Sequence, residues 1–268
     1  MFLSKLLVLF FVMGISTSAT FAVEIVGHRG ASFDAPENTL RSMKLAWKQK
    51  ADAIETDIHL SKDGKIVVLH DFDTKRLAGV DKKIVDQTWE ELQQLDIGKW
   101  KGETFAHEKI PTLDSFLETI PKGKRIFIEI KVGTEILPEL EKTLANSGKK
   151  SEQLAIITFK YDVAEAAKAR FPKHHVYWLA DWKKDKKTGQ FPDLDEMIEK
   201  AKKAKLDGLD LNFNFPIDRE FAKKVHGAGL KLYTWTVDDP AVAKAEVDAG
   251  VDGITTNRPE WLREELKK

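Results

Sequence analysis

Two histidines, three carboxylates, an arginine and a lysine stand at the ends of otherwise apolar runs. They are His28-Arg29-Gly30 after EIVG, Glu55 and Asp57 in AIETD, His70 closing IVVLH, and Glu129 with Lys131 in IFIEIK. An imidazole titrates near neutrality, so His28 and His70 are candidates for a general acid and a general base. Arg29 can grip phosphate oxygens with two parallel hydrogen bonds, and Lys131 adds a point charge. In a strand, residues two apart share a face. Glu55 therefore sides with Asp57, and Glu129 with Lys131. If both pairs face one site, three carboxylates meet there. Oxygen ligands without cysteine suit a hard cation, Mg²⁺ and Ca²⁺ equally. Such a cation also relieves the repulsion that would raise the carboxyl pKa values. Gly30 would let backbone approach a ligand closely.

These residues need a scaffold that brings strand ends together. Strand-like runs occur at 24–28, 53–59, 66–70, 125–131, 154–159, 175–179, 208–213, 230–237 and 253–256. Amphipathic helical stretches at 39–49, 137–147, 163–170, 193–205 and 218–228 separate most of them. That alternation predicts a parallel sheet wrapped by helices. ADAIETD, LDGLDLN and VDGITTN repeat an aspartate at helix-to-strand junctions, and no glycine-rich nucleotide loop is present. A closed (β/α)8 TIM barrel is expected, with its active face at the C-terminal strand tips. Trp235, in LYTWTV, belongs to the seventh tip.

The run at 66–70 is one strand too many. Only LSKDGK separates it from the strand before, too little for a parallel crossover of a dozen residues or more. An antiparallel hairpin arm is expected, with Asp63-Gly64 as a two-residue turn. That register sets Leu60 opposite Val67, Ile58 opposite Leu69, and His70 opposite Asp57. Residues from about 72 to 111 break the βα rhythm and read as an insertion after this arm, with a short helix in TWEELQQLDIG.

Lysine plus arginine and aspartate plus glutamate are equal at 43 each, so no global field recruits nucleic acid. No cysteine is present, which excludes disulfides, thiolate metal sites, cysteine nucleophiles and a lipoprotein anchor. Residues 1–22 carry one charge, Lys5, then an apolar run and small residues, as in a secretory signal peptide cleaved after Ala22 or Ala19. The run is short for a bilayer span. The expectation is an exported protein, periplasmic or secreted, with no stable membrane anchor after cleavage and one domain over 23–268. Composition carries no signature of an oligomeric state.

GHRG, PENT, ETDIHLSKDG, VVLHD, IEIK and YTWTV, in this order, resemble the glycerophosphodiester phosphodiesterase family from Val26 through to DGITTNRP. The resemblance implies a TIM barrel that hydrolyses a small-molecule glycerophosphodiester to glycerol 3-phosphate and an alcohol. It implies Glu55, Asp57 and Glu129 as metal ligands, His28 and His70 as the acid/base pair, Arg29 and Lys131 on phosphate, and Trp235 in the substrate cleft. Two rival readings are a phospholipase-D-like enzyme acting on lysophospholipids or sphingolipids, and a silent barrel that binds phosphodiesters. Lys131 could instead form a structural ion pair with Glu129. Asn212 or Asn214 could hold water or substrate, and Trp178 and Trp182 could shape an alcohol-binding cleft or pack under the barrel rim. His59 is expected too far along the arm to join the site.

Overall fold

Eight apolar strands close on themselves into a parallel barrel in the computed structural model, which describes residues 23–268. The expected leader at 1–22 lies outside the described residues. The strands, in chain order, begin with β1 (Glu24–Gly27) and β2 (Ala53–Leu60), then β3 (Ile66–Val68), β4 (Asp73–Thr74) and β5 (Val80–Lys83). They continue with β6 (Arg125–Ile130), β7 (Leu154–Thr158), β8 (His175–Ala180), β9 (Gly208–Asn212), β10 (Lys231–Trp235) and β11 (Gly253–Thr256). The barrel runs β1-β2-β6-β7-β8-β9-β10-β11 and back to β1, every pair parallel. Helices α1 (Leu40–Lys48), α4 (Leu113–Thr119), α5 (Leu137–Asn146) and α6 (Tyr161–Arg170) wrap one side; α2 (Lys75–Ala78) and α3 (Trp89–Leu92) belong to the insertion. Helices α7 (Leu194–Lys203), α8 (Arg219–Gly227), α9 (Pro240–Ala249) and α10 (Pro259–Glu265) complete the shell.

Both strand faces are buried, which is why the strands read as nearly continuous aliphatic runs. Ile54, Ile126, Ile128, Ile156, Val176, Leu209 and Ile254 pack outward under the helices. Val26, Ala53, Phe127, Ala155, Ile157, Tyr177, Leu179 and Tyr233 fill the interior. At the N-terminal end Arg125 plugs the barrel, bonded to Glu24, Tyr177 and Tyr233. Among the described residues no helix is long and apolar enough to cross a membrane.

The repeated junction aspartates have one job. Each accepts the first free backbone N–H of the neighbouring strand: Asp52 from Ile25 at 3.1 Å, Asp207 from Val176 at 2.8 Å, and Asp252 from Leu232 at 2.8 Å. A carboxylate there satisfies a donor that a barrel start would otherwise strand.

The arm is an antiparallel hairpin, but its register corrects the expected one by a residue. Leu60 pairs with Ile66 and Ile58 with Val68, and the Leu69 N–H donates to the Asp57 carbonyl at 3.1 Å. His70 is therefore not opposite Asp57. Ser61 accounts for the shift: its hydroxyl accepts the Lys65 N–H and donates to Asp63, which leaves a three-residue loop with Gly64 at φ 80°. A one-residue slip swaps the faces of the return strand. Ile66 and Val68 join the barrel core, while Val67 and Leu69 join Leu77, Ile84, Leu92, Ile97 and Ile110 in a separate core of the insertion. The insertion ends beside the arm, where Pro111 accepts from the Val68 N–H at 2.9 Å.

Glu246 on α9 lies behind the barrel wall. Its Oε2 accepts the Thr234 hydroxyl at 2.7 Å, but its buried Oε1 has no partner among the described residues. Burial pushes its pKa up from 4.5 to about 7, against the Thr234 bond. A carboxyl raised in the folded state costs nothing below its unfolded pKa and progressively more as pH rises toward the folded one. Glu246→Gln should therefore melt with the wild type near pH 4.5 and above it at pH 8, by up to about 3 kcal/mol or several degrees. Thermal melts at the two pH values check this, and an equal shift at both would refute it.

Candidate active site

The C-terminal strand tips surround a cavity of about 250 Å³ whose wall includes His28, Arg29, Glu55, His70, Glu129, Lys131 and Trp235. Asp57 sits just behind that wall, 1 % exposed. Of the eight residues singled out in the sequence, all come together. One oxygen each from Glu55, Asp57 and Glu129 lies within 4.8 Å of the others.

Two cations thread this cluster. Lys131 Nζ is 2.7 Å from Glu129 and 3.3 Å from Asp57. Arg29 donates its backbone N–H to Glu55 at 3.0 Å, and its Nε stands 3.4 Å from Asp57. Lys131 thus makes the ion pair a structural reading would assign it, yet with two carboxylates and at the cavity wall. Burial raises all three carboxyls. At Asp57 Lys131 and Arg29 outweigh burial and hold the group well below the carboxylate range. Glu55 is pushed well up by burial and by Asp57, and Glu129 to about 7 by the same pair of causes. Glu55 Oε1 is buried without a partner among the described residues. Three buried carboxylates against two shared cations leave negative charge uncompensated, and the donor set is all oxygen. A hard divalent cation fits these residues.

Each histidine is tethered through Nδ1. His28 Nδ1 lies 2.7 Å from the Asn257 Oδ1. The Asn257 amide nitrogen donates to Asp238, which fixes Oδ1 as the acceptor toward His28. His70 Nδ1 lies 2.8 Å from Asp71. Both rings therefore carry their proton on Nδ1 and leave Nε2 free, with the His28 Nε2 4.0 Å from Glu55. Burial and then Arg29 push the His28 pKa down to about 4, so the ring is neutral. Asp71 is held in turn by Arg76 of the insertion, which also grips Glu37 through two nitrogens. Glu37 accepts from Arg29 at 2.8 Å. The insertion thus braces His70 and Arg29 through a single guanidinium.

The PENT segment supplies more than a helix start. Thr39 caps α1 by accepting the Ser42 N–H. Asn38 donates to Asp57 at 2.8 Å and accepts from Thr56 at 2.9 Å. Asn38 and Arg29 both take left-handed backbone, φ 56° and 53°, a conformation that costs a non-glycine residue about 1–2 kcal/mol. The Asn38 N–H donates to the Arg29 carbonyl, so the two hold each other there.

Other residues weighed in the sequence find these places. Gly30, at φ 86°, serves close packing on α1, since a Cβ would stand 2.6 Å from the Ser42 carbonyl carbon. Asn212 and Asn214 spend themselves on each other, Asn214 donating twice to Asn212 Oδ1. Trp178 packs on Tyr161, and Trp182 on Phe191 and Phe215, away from the cavity. His59 stays off the cavity wall, its Nε2 3.3 Å from the His70 carbonyl. Phe159 and Asp210 line the cavity without having been anticipated.

The glycerophosphoryl diester phosphodiesterase family model matches residues 28–261. A glycerophosphodiester phosphodiesterase of Caldanaerobacter subterraneus subsp. tengcongensis is 34 % identical over 252 residues, covering 91 % of this chain and 98 % of the relative. Among solved structures, an Oleispira antarctica phosphodiesterase in complex with the product sn-glycerol-3-phosphate aligns with a TM-score of 0.82 at 27 % identity, over 93 % of this chain and 98 % of that one. A Thermotoga maritima glycerophosphodiester phosphodiesterase aligns with a TM-score of 0.74 at 28 % identity, over 91 % and 98 %.

Proposed function

The chain belongs to the glycerophosphoryl diester phosphodiesterase family, and from that premise we propose a metal-dependent cleavage of glycerophosphodiesters to glycerol 3-phosphate and an alcohol, with His28 and His70 moving the protons. The observation that carries this reading is the meeting of two Nδ1-tethered imidazoles with a buried carboxylate triad at one cavity.

Glu55, Asp57 and Glu129 would hold the cation, Mg²⁺ or Ca²⁺. When bound, it supplies Lewis acidity to the phosphate and makes a nearby hydroxyl easier to deprotonate. Arg29 and Lys131 orient the phosphate and balance the charge that builds on its oxygens. His28, neutral and backed by an amide, takes the proton of the attacking glycerol hydroxyl through Nε2, and water then opens the cyclic phosphate so formed with the proton roles reversed. Burial lowers the His70 pKa, but Asp57 and the Asp71 carboxylate pull the other way, and His70 gives its proton to the leaving alcohol. Trp235 walls the cleft, fixed by its indole N–H on the Asp210 carbonyl at 3.1 Å and edge-on to Phe159. The leader-like segment at 1–22 favours action outside the cytoplasm. A cavity of about 250 Å³ is small against the ~300–1,000 Å³ of sites that engulf drug-sized ligands, which favours a water-soluble diester over an acylated lipid.

The test is release of glycerol 3-phosphate from glycerophosphocholine by the purified mature protein. Release should require added Mg²⁺ or Ca²⁺, stop with a chelator, and greatly exceed turnover of lysophosphatidylcholine. Release undiminished by thorough chelation would refute the metal. Faster turnover of the lysolipid would favour the phospholipase-D-like reading, and no turnover of either would favour a binding barrel.

A further inference from the structure

Asp210 pairs with no cation of the mouth among the described residues, and Glu129 is near enough to repel it. It is the third residue of β9 and faces the barrel interior, 2 % exposed, on the cavity wall. Its Oδ1 has no hydrogen-bond partner among the described residues. Lys131 and Arg29 are engaged by other carboxylates, and Lys183 at the rim pairs with Asp181. Leu179 is the partner of Asp210 on β8 and Trp235 donates to its carbonyl, while Ile157 and Phe159 add apolar surface to the same cavity. A buried polar atom without a partner is a standing cost that folding alone does not explain. A ligand that supplies the partner does explain it.

The position says which part of the ligand. Arg29 and Lys131 place the phosphate toward β1 and β6. Asp210 lies mid-strand and so deeper than Trp235, which ends β10, or Asp181, which follows β8. In a glycerophosphodiester the alcohol varies and must leave, so it belongs at the open mouth. The glycerol is constant and suits the enclosed end. Its carbons match the apolar wall, and its hydroxyls need an acceptor. The Asp210 Oδ1 offers an acceptor without a donor, which a glycerol hydroxyl would fill.

We propose that Asp210 holds a hydroxyl of the glycerol moiety and thereby selects glycerol phosphates over alkyl phosphates of the same length. This rests on the reaction proposed above. A site built to hydrogen-bond a hydroxyl discriminates strongly against an analogue lacking it. Calorimetric titration of the metal-loaded protein with sn-glycerol 3-phosphate and with propyl phosphate tests it. The wild type should prefer glycerol 3-phosphate by about tenfold or more. Asp210→Leu should bring the preference within about threefold while leaving propyl phosphate binding nearly unchanged, and Asp210→Asn should keep most of it. Both variants should melt no lower than the wild type, because the unpaired group is relieved. A preference that survives in Asp210→Leu, equal loss of both ligands in a folded variant, or a wild type that binds both alike would overturn the assignment. A wild type that binds neither phosphate and releases no glycerol 3-phosphate overturns the reaction reading instead.

Discussion

Asp57→Asn should abolish turnover of glycerophosphocholine, lowering kcat/KM by about 10³-fold or more, because metal-ion stabilisation of a reacting phosphate supplies several kcal/mol. Asp57 is the point where the cluster is tied together. Arg29, Lys131 and Asn38 all address it, and it is the carboxylate of the three that its neighbours keep firmly ionised. Asparagine keeps its shape and can still accept from Asn38, so the fold should persist. Calorimetric titration with Mg²⁺ and with Ca²⁺ should show binding to the wild type and none to the variant. If Asp57→Asn binds metal and turns over normally, the carboxylates serve only to neutralise Arg29 and Lys131.

Replacing either histidine by alanine should cost about 10²–10⁴ in kcat with little change in KM, the usual range for a positioned acid or base. The double variant should be scarcely slower than the worse single one, since the two act as a unit. Their roles separate by leaving group. A glycerophosphodiester of p-nitrophenol departs without help from an acid. His70→Ala should recover much of its loss on that substrate, and His28→Ala should not. Recovery by His28→Ala alone would exchange the two roles, and recovery by neither would remove His70 as the acid. Asp71→Asn should follow His70→Ala in weaker form, because it leaves the ring without its carboxylate.

Period-2 alternation in AIETD and RIFIEIK sufficed to bring Glu55, Asp57 and Glu129 to one wall, because a strand in a closed barrel has a forced inside. The arm was another matter. Ile66, Val67, Val68 and Leu69 are apolar at every position, so the pattern carries no register. Ser61 and the hunger of the insertion for a core decide it, and both act through tertiary contacts. Gly30 offered a correct signal, an obligatory close approach, but could not say that the approach is to Ser42 and not to a ligand. Asn257 and Arg76 were invisible for a related reason. Asn257 works on His28 from 229 positions away and Arg76 on Glu37 from 39, and nothing local in TTNRP or DTKRLAG names either partner. Asp210 hid inside a repeat whose other aspartate, Asp207, has a purely structural job.

The bond between His28 and Asn257 spans 229 positions of the chain. Its neighbours at the seam are of the same kind, with the Glu24 N–H on the Asp252 carbonyl and the His28 N–H on that of Thr256. Such contacts are the most non-local a chain of this length can make, and loop-closure entropy delays them until intervening structure shortens the path. The tip of the first strand therefore acquires its tether only when the last strand docks beside it. A barrel with a strand missing could keep most of its core and yet hold His28 by nothing. On the role proposed for His28, hydrolysis by this chain would report on ring closure, and a partly assembled chain would be slow to cleave its ester.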